Sequence, residues 1–124
     1  MKVVTYDQVK SKIINLRDQN VILDSDVAKL YGVQTKRVNE AVKRNLEKFP
    51  PGYLIYLDVN EWDLLKSQIA TSINKGGKVK MPIAFTERGL YMLATILKSQ
   101  KTVETSIAII DTFTQIRDLA NSVS

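Results

Sequence analysis

The strongest constraint on the fold is a pair of short helical patterns between residues 24 and 46, separated by Gly32 and followed by Pro50 and Pro51. A glycine after the first pattern fits a tight turn, because it adopts positive φ without a Cβ clash. Proline lacks the N–H that continues a helix, so the second pattern cannot extend beyond Phe49. The segment predicts two short helices packed across a sharp turn.

The spacing of small and apolar residues across this turn is typical of a helix-turn-helix unit at residues 25–46. Ala28 permits close helix crossing, Gly32 supplies the turn, and Val38 locks the second helix onto the first. Ordinary helical hairpins share this spacing, so the charge pattern must decide between a DNA-binding unit and a hairpin with no such role. The other apolar residues predicted to face inward are Val27, Tyr31, Val33, Ala41, Val42 and Leu46.

Extended patterns surround the two helices. The β-rich runs Lys12–Leu16 and Val21–Leu23 flank the polar residues Arg17–Asn20, which predicts a hairpin. Tyr53–Leu57 predicts a further strand. Together with a long C-terminal helix, these runs predict a small mixed α+β domain.

Capping residues and a proline predict the limits of the remaining elements. Thr5 and Gln8 form a capping-box pattern, and Thr86 has the chemistry to cap a helix through residue 97. Asn60 is predicted to cap the helix between them. Pro82 lies in an extended run at 78–85, which predicts an edge strand or a bulge, because proline donates no ladder hydrogen bond.

The final pattern predicts a helix from Thr102 to about Ala120 with two apolar faces. Val103, Ile107 and Ile110 are predicted to pack inward. The other stripe repeats at alternating spacings of four and three, as in a coiled-coil seam, and predicts a dimer interface. Its residues are Ile109, Phe113, Ile116 and Ala120, with Val123 beyond them. We therefore expect a domain at 1–100, and a helix at 101–124 that dimerises or links to a further region.

Positive charge is concentrated around the helix-turn-helix pattern. The chain has 18 Lys and Arg against 13 Asp and Glu, a net charge of +5. Residues 29–48 alone hold six basic and two acidic side chains. Such concentration is the electrostatic footprint of a phosphate-binding surface, although a solvated helix face is the simpler alternative.

The outer face of the second helix carries side-chain types that read DNA. With Val38 and Val42 inward, a rotation of about 100° per residue presents polar side chains on the opposite side. Arg and Lys contact guanine or phosphate, and Asn or Gln pair with adenine, in a major groove wide enough to admit a helix. The residues predicted to contact DNA from this helix, taken as 35–46, are Gln34, Thr35, Lys36, Arg37, Asn39, Glu40, Lys43 and Arg44.

A second basic segment surrounds the Gly76-Gly77 pair. Lys75, Lys78 and Lys80 follow one another with no acidic residue between them. We expect this segment to act as a flexible wing that touches the DNA backbone or minor groove.

The composition excludes several kinds of site. The chain contains no Cys and no His, which removes disulfides, Cys or His zinc sites and histidine-based catalysis. Its longest uncharged runs are far shorter than the ~18 apolar residues of a membrane span, and its start lacks a signal-peptide pattern. We expect a cytoplasmic, nucleoid-associated protein that is not an enzyme and needs no metal or cofactor.

Two groups of carboxylates allow an alternative interpretation. Asp24 with Asp26, and Asp58 with Glu61 and Asp63, have side chains that bind metals or perform acid–base chemistry. They also fall at predicted helix starts, where acidic groups accept backbone hydrogen bonds and favour the helix dipole. Capping is the simpler prediction.

Three separated motifs give the sequence a family resemblance. They are Val21-Ile22-Leu23-Asp24-Ser25-Asp26, Ser67-Gln68-Ile69-Ala70-Thr71-Ser72 and Phe85-Thr86-Glu87-Arg88-Gly89. In this order they resemble the KilA-N-related DNA-binding domain of phages and bacteria, of the type named after the N-terminal part of a phage open-reading-frame-six product. The resemblance, over about 21–117, implies a DNA-binding module of a regulatory or antirepressor-like protein and does not imply an enzyme.

Three functions remain open from the sequence. The first is binding of double-stranded DNA by a homodimer, through the second helix. The second is a protein-interaction module in which the C-terminal helix binds a phage or host repressor and the basic helix is incidental. RNA binding is the third, and would show as tighter binding to RNA than to duplex DNA.

Overall fold

The computed structural model describes residues 4–69 and 81–123, which form a mixed α+β fold of helices around one antiparallel sheet. This confirms the predicted fold class. The elements in chain order are α1 (Tyr6–Lys10), β1 (Ile14–Leu16), β2 (Gln19–Leu23), α2 (Asp24–Tyr31), α3 (Thr35–Lys43), β3 (Leu54–Tyr56), α4 (Val59–Ile69), β4 (Ile83–Phe85), α5 (Glu87–Ile96) and α6 (Thr102–Val123).

The predicted hairpin is present as β1 and β2, with a tighter turn than the sequence indicated. Within the predicted turn Arg17–Asn20, the residues with positive φ are Arg17 and Asp18, at 53° and 61°. Two successive left-handed residues suit a two-residue hairpin turn, whose twist matches that of the flanking strands. Gln19 and Asn20, predicted as turn residues, already belong to β2 and pair with Leu16 and Asn15.

The sheet has the order β1-β2-β4-β3, with helices on both faces. Successive side chains of β2 point to opposite faces. Val21 and Leu23 pack with Trp62 and Leu65 of α4, whereas Ile22 packs with the remaining helices. The sheet therefore separates two apolar clusters, and the larger one holds the helix-turn-helix pattern.

The prediction that Pro82 confines its strand to an edge is wrong. β4 is an interior strand that pairs with β2 and β3. The strand begins at Ile83, directly after the proline, so the missing N–H of Pro82 removes no bond from the ladder.

Side-chain caps mark several helix starts. Thr5 and Gln8 form the predicted capping box, and Thr86 accepts the Gly89 N–H at 3.3 Å. Asn60 does not cap α4, because this helix begins one residue earlier. Asp58 has that role: its Oδ1 accepts the Glu61 N–H at 2.8 Å, and its own N–H donates to Glu61 Oε1 at 2.9 Å.

α3 is shorter than the predicted 35–46. It ends at Lys43, and a separate 3₁₀ turn follows at Leu46–Lys48. The Asn45 amide donates to the Ala41 carbonyl at 2.8 Å, which occupies an acceptor that a continuing helix would use. Leu46 is consequently not part of the inward stripe, and 54% of it is exposed.

Candidate nucleic-acid interface

α2 and α3 pack against each other across the tight turn that the spacing predicted, and these two helices with their turn are called the α2–α3 pair. Val27 and Tyr31 from α2 are buried against Val38 and Val42 from α3. Gly32 has φ +70°, and the Val33 N–H donates to the Ala28 carbonyl at 3.0 Å. α2 therefore ends in a left-handed glycine. These apolar contacts therefore fix the angle between α2 and α3.

The outer face of α3 is positively charged. Lys36, Lys43 and Arg44 are all exposed, with Glu40 the acidic residue among them. In the part of the chain that the structure describes, none of these three cations forms an ion pair. Unpaired cations on one rigid face are free to contact phosphates. Gln34 is exposed just before α3, whereas Thr35 is half-buried at its first turn.

Arg37 is exposed but also bonded within the protein. Its guanidinium donates a hydrogen bond to the backbone carbonyl of Lys98, in the connection between α5 and α6. The carbonyl is neutral, so the positive charge of Arg37 still contributes to the local field. One of its five donors is used to hold α3 against that connection.

Asn39 does not lie on the outer face, where its predicted pairing with adenine would need it. Residues 35, 38, 39 and 42 form the i, i+3, i+4, i+7 stripe that faces the core. Asn39 is half-buried beside Asp24, and its Oδ1 is buried without a hydrogen-bond partner. The side chain therefore joins α3 to the start of α2.

Asp24 is a buried carboxylate beneath this interface, 5% exposed. Burial raises its pKa above the ordinary value, while hydrogen bonds from Asn39 and from the backbone N–H groups of Ile83 and Ser25 act in the opposite direction. The Ser25 N–H lies at 2.8 Å and the Ile83 N–H at 3.4 Å. Asp24 thus connects the α2–α3 pair to strand β4.

The other acidic groups also have structural partners. Glu61 pairs with Arg17, whose Nε and Nη2 donate at 2.7 and 2.8 Å, and this bidentate contact lowers the pKa of Glu61 to about 2. Asp26 lies 3.7 Å from the Lys12 ammonium. Over residues 4–69 and 81–123, no three acidic side chains converge as a metal site.

The dimer stripe predicted on α6 is wrong for two of its residues. Ile109 and Phe113 are 1% and 3% exposed and belong to the main core. α6 turns this side inward because it packs on α1, α2 and α5, and Thr105 donates to the Leu30 carbonyl at 3.2 Å. Ile116 is half-buried and Ala120 is exposed.

The prediction for the other apolar stripe of α6 is wrong as well. Val103, Ile107 and Ile110, expected inside, are 73%, 53% and 43% exposed. The exposed apolar face of α6, which we call the α6 outer face, consists of these three residues. Lys75, Lys78 and Lys80 of the predicted wing lie outside the described residues.

The structure brings two further lysines to the turn of the α2–α3 pair. Lys98 and Lys101 lie in the α5–α6 connection, next to Arg37 and Gly32 respectively. The sequence analysis missed them, because more than sixty residues separate them from α2 and no local pattern links the two segments.

Comparison with known proteins gives one match. A family model described as ORF6N domain matches residues 11–96, which include α2 and α3. The match begins earlier and ends earlier than the resemblance at 21–117. No curated protein and no solved structure matches the chain. No helix in the described part is long and apolar enough to cross a membrane.

Proposed function

The chain belongs to the ORF6N domain family, a phage-type domain, and on this basis we propose that it binds double-stranded DNA by inserting α3 into the major groove. The observation that carries the proposal is the basic, unpaired outer face of α3, on a helix whose other face packs on α2. The proposed role is that of a phage-type transcriptional regulator or antirepressor, without catalytic activity.

The proposed DNA contacts of α3 are of two kinds, to phosphates and to bases. We assign phosphate contacts to Lys43 and Arg44, at its C-terminal end, and Lys36 lies nearer the turn. Phosphate contacts position a protein on the duplex, whereas base contacts select the sequence. Gln34 and Lys36, exposed at the N-terminal end, are the candidates for base contacts. Glu40 disfavours phosphate and can accept a hydrogen bond from cytosine.

The test is a fluorescence-anisotropy titration of a labelled duplex of about 30 base pairs across a salt series. We expect steep salt dependence for the natural chain, and a slope lower by about two for Lys43→Ala/Arg44→Ala, since each lost phosphate contact removes roughly 0.9 from it. The charge-matched control is Lys66→Ala/Arg88→Ala, which removes two cations outside α3. Equal slopes for both double variants would contradict the role of α3, and tighter binding to a hairpin RNA would favour RNA as the partner.

A second candidate function is protein binding through the α6 outer face. Three exposed branched aliphatic side chains spaced by four and three residues form the kind of stripe that packs against another helix. A second copy of the chain is one such partner, which would give a two-fold DNA site, and a repressor is another. Ile107→Asp/Ile110→Asp should convert a dimer to a monomer in sedimentation velocity and leave the affinity of each monomer for a half-site unchanged.

A further inference from the structure

The connection between α5 and α6 lies directly against the turn between α2 and α3. Ser99 Oγ donates to the Tyr31 carbonyl at 3.3 Å, and the Arg37 guanidinium donates to the Lys98 carbonyl. The stem of Lys101 crosses the turn itself, since a Cβ added to Gly32 would lie 3.2 Å from Lys101 Cδ. The connection therefore touches both the end of α2 and the first turns of α3.

Hydrogen bonds hold this connection in one conformation. Thr102 Oγ1 accepts the Ser99 N–H at 2.8 Å and donates to the Leu97 carbonyl at 3.1 Å. The Lys101 N–H donates to Ser99 Oγ at 3.3 Å. A preorganised backbone lowers the entropy lost when its lysines engage a ligand.

The lysines at this place lack acidic partners. Lys29, Lys98 and Lys101 form no ion pair with any residue in the described ranges. Lys29 and Lys101 also line a cleft of about 360 Å³ together with Lys12. The charge of Lys12 is balanced by Asp26, with which it forms an ion pair. Lys98 and Lys101 therefore add positive charge beside the turn that precedes α3, and Lys29 adds a third lysine at the end of α2.

We propose that Lys29, Lys98 and Lys101 form a second DNA-backbone contact, opposite the one made by Lys43 and Arg44. The inference rests on the proposed function, in which α3 enters the major groove. The nine residues of α3 span about 13 Å, close to the groove width of about 12 Å. Basic clusters at the two ends of α3 are thus spaced to meet the two phosphate backbones that border the groove.

The experiment compares three double alanine variants and one double arginine variant of the full chain on the same duplex of about 30 base pairs, from ~50 to ~200 mM salt. Lys98→Ala/Lys101→Ala is expected to lower the salt slope by about two and to weaken binding at ~100 mM salt by about tenfold or more. Lys43→Ala/Arg44→Ala should lower the slope to a similar extent. Lys66→Ala/Arg88→Ala is the charge-matched control, and circular dichroism checks that each variant is folded.

The outcomes separate this inference from the function on which it rests. If Lys98→Ala/Lys101→Ala behaves like the control while Lys43→Ala/Arg44→Ala loses slope, the second contact is wrong and α3 still binds DNA. Absence of duplex binding by the natural chain at ~50 mM salt overturns both. If Lys98→Arg/Lys101→Arg has the salt slope of the natural chain, the contact depends on the positive charge at these two positions. A slope as low as that of Lys98→Ala/Lys101→Ala would overturn such a charge contact.

Discussion

Helices α3 and α6 both place one face in the same core, yet their outer faces have opposite chemistry. Val38 and Val42 of α3 belong to the same apolar cluster as Ile109 and Phe113 of α6. Outside, α3 presents unpaired cations, whereas α6 presents exposed valine and isoleucine. A basic face attracts a polyanion over a Debye length, about 8 Å at physiological salt, while an apolar face gains energy only in direct contact. We therefore expect the two helices to bind different classes of partner.

The largest expected effect distinguishes the two faces of α6. Ile109→Asp should destabilise the domain by roughly 4 kcal/mol or more, because it leaves a charge unpaired in the core. Ile107→Asp is the matched control on the outer face and should change the free energy of unfolding by no more than about 0.5 kcal/mol. Urea denaturation followed by circular dichroism measures both. Equal losses would show that the assignment of the α6 faces is wrong.

The next effect separates packing from binding on α3. Val38→Ala should lower the free energy of unfolding by about 2 kcal/mol, since it removes buried methyl groups and leaves a cavity. Lys36→Ala, two residues away, should stay within about 0.5 kcal/mol in stability and weaken duplex binding instead. Chemical denaturation and anisotropy on the same two proteins give the comparison. A large stability loss for Lys36→Ala would contradict the separation.

A smaller effect is expected at the turn between α2 and α3. Gly32→Ala places a Cβ at φ +70°, where an L-residue is strained, and brings it within 3.2 Å of Lys101 Cδ. We expect destabilisation of about 1 kcal/mol, with a shift of the Lys101 side chain. Thermal melts give the first result, and a change in the Lys101 resonances gives the second. Full wild-type stability would mean that the left-handed turn is not required.

The smallest effect concerns an ion pair remote from both outer faces. The pKa of Glu61 is lowered from 4.5 to about 2, mainly by Arg17 and also by the Asp58 N–H. Because the folded pKa lies below the unfolded one, this stabilisation is present above pH 4.5 and is lost as the pH falls toward 2. Arg17→Ala should weaken that acid dependence in urea midpoints measured across this range. Lys66→Ala is the control and should leave it unchanged.

Local signals explain what the sequence predicted correctly. Gly32, Thr5 and Thr86 act through backbone geometry or hydrogen bonds within a few residues, so their roles are visible from neighbouring positions. The core of α2 and α3 follows from helical spacing for the same reason. The exposed cations of α3 were predicted because their inward neighbours fix the rotation of the helix.

Long-range contacts explain the errors. α6 has two apolar stripes, and spacing alone does not say which one meets α1 and α5. The inward stripe also contains Thr105 and Thr112, both fully buried, so the side of α6 that packs on the core is not purely apolar. Asn39 was placed outside because its partner, Asp24, lies in another helix. Lys98 joins the interface only through tertiary packing.

The most direct test of the central claim is an NMR titration of the chain with a duplex of about 30 base pairs, following the backbone amides of α3 and α6. The account predicts the largest shift changes at Lys36, Lys43 and Arg44, and little change at Ile107 and Ile110. Shift changes confined to the α6 outer face, with the amides of α3 unmoved, would contradict it.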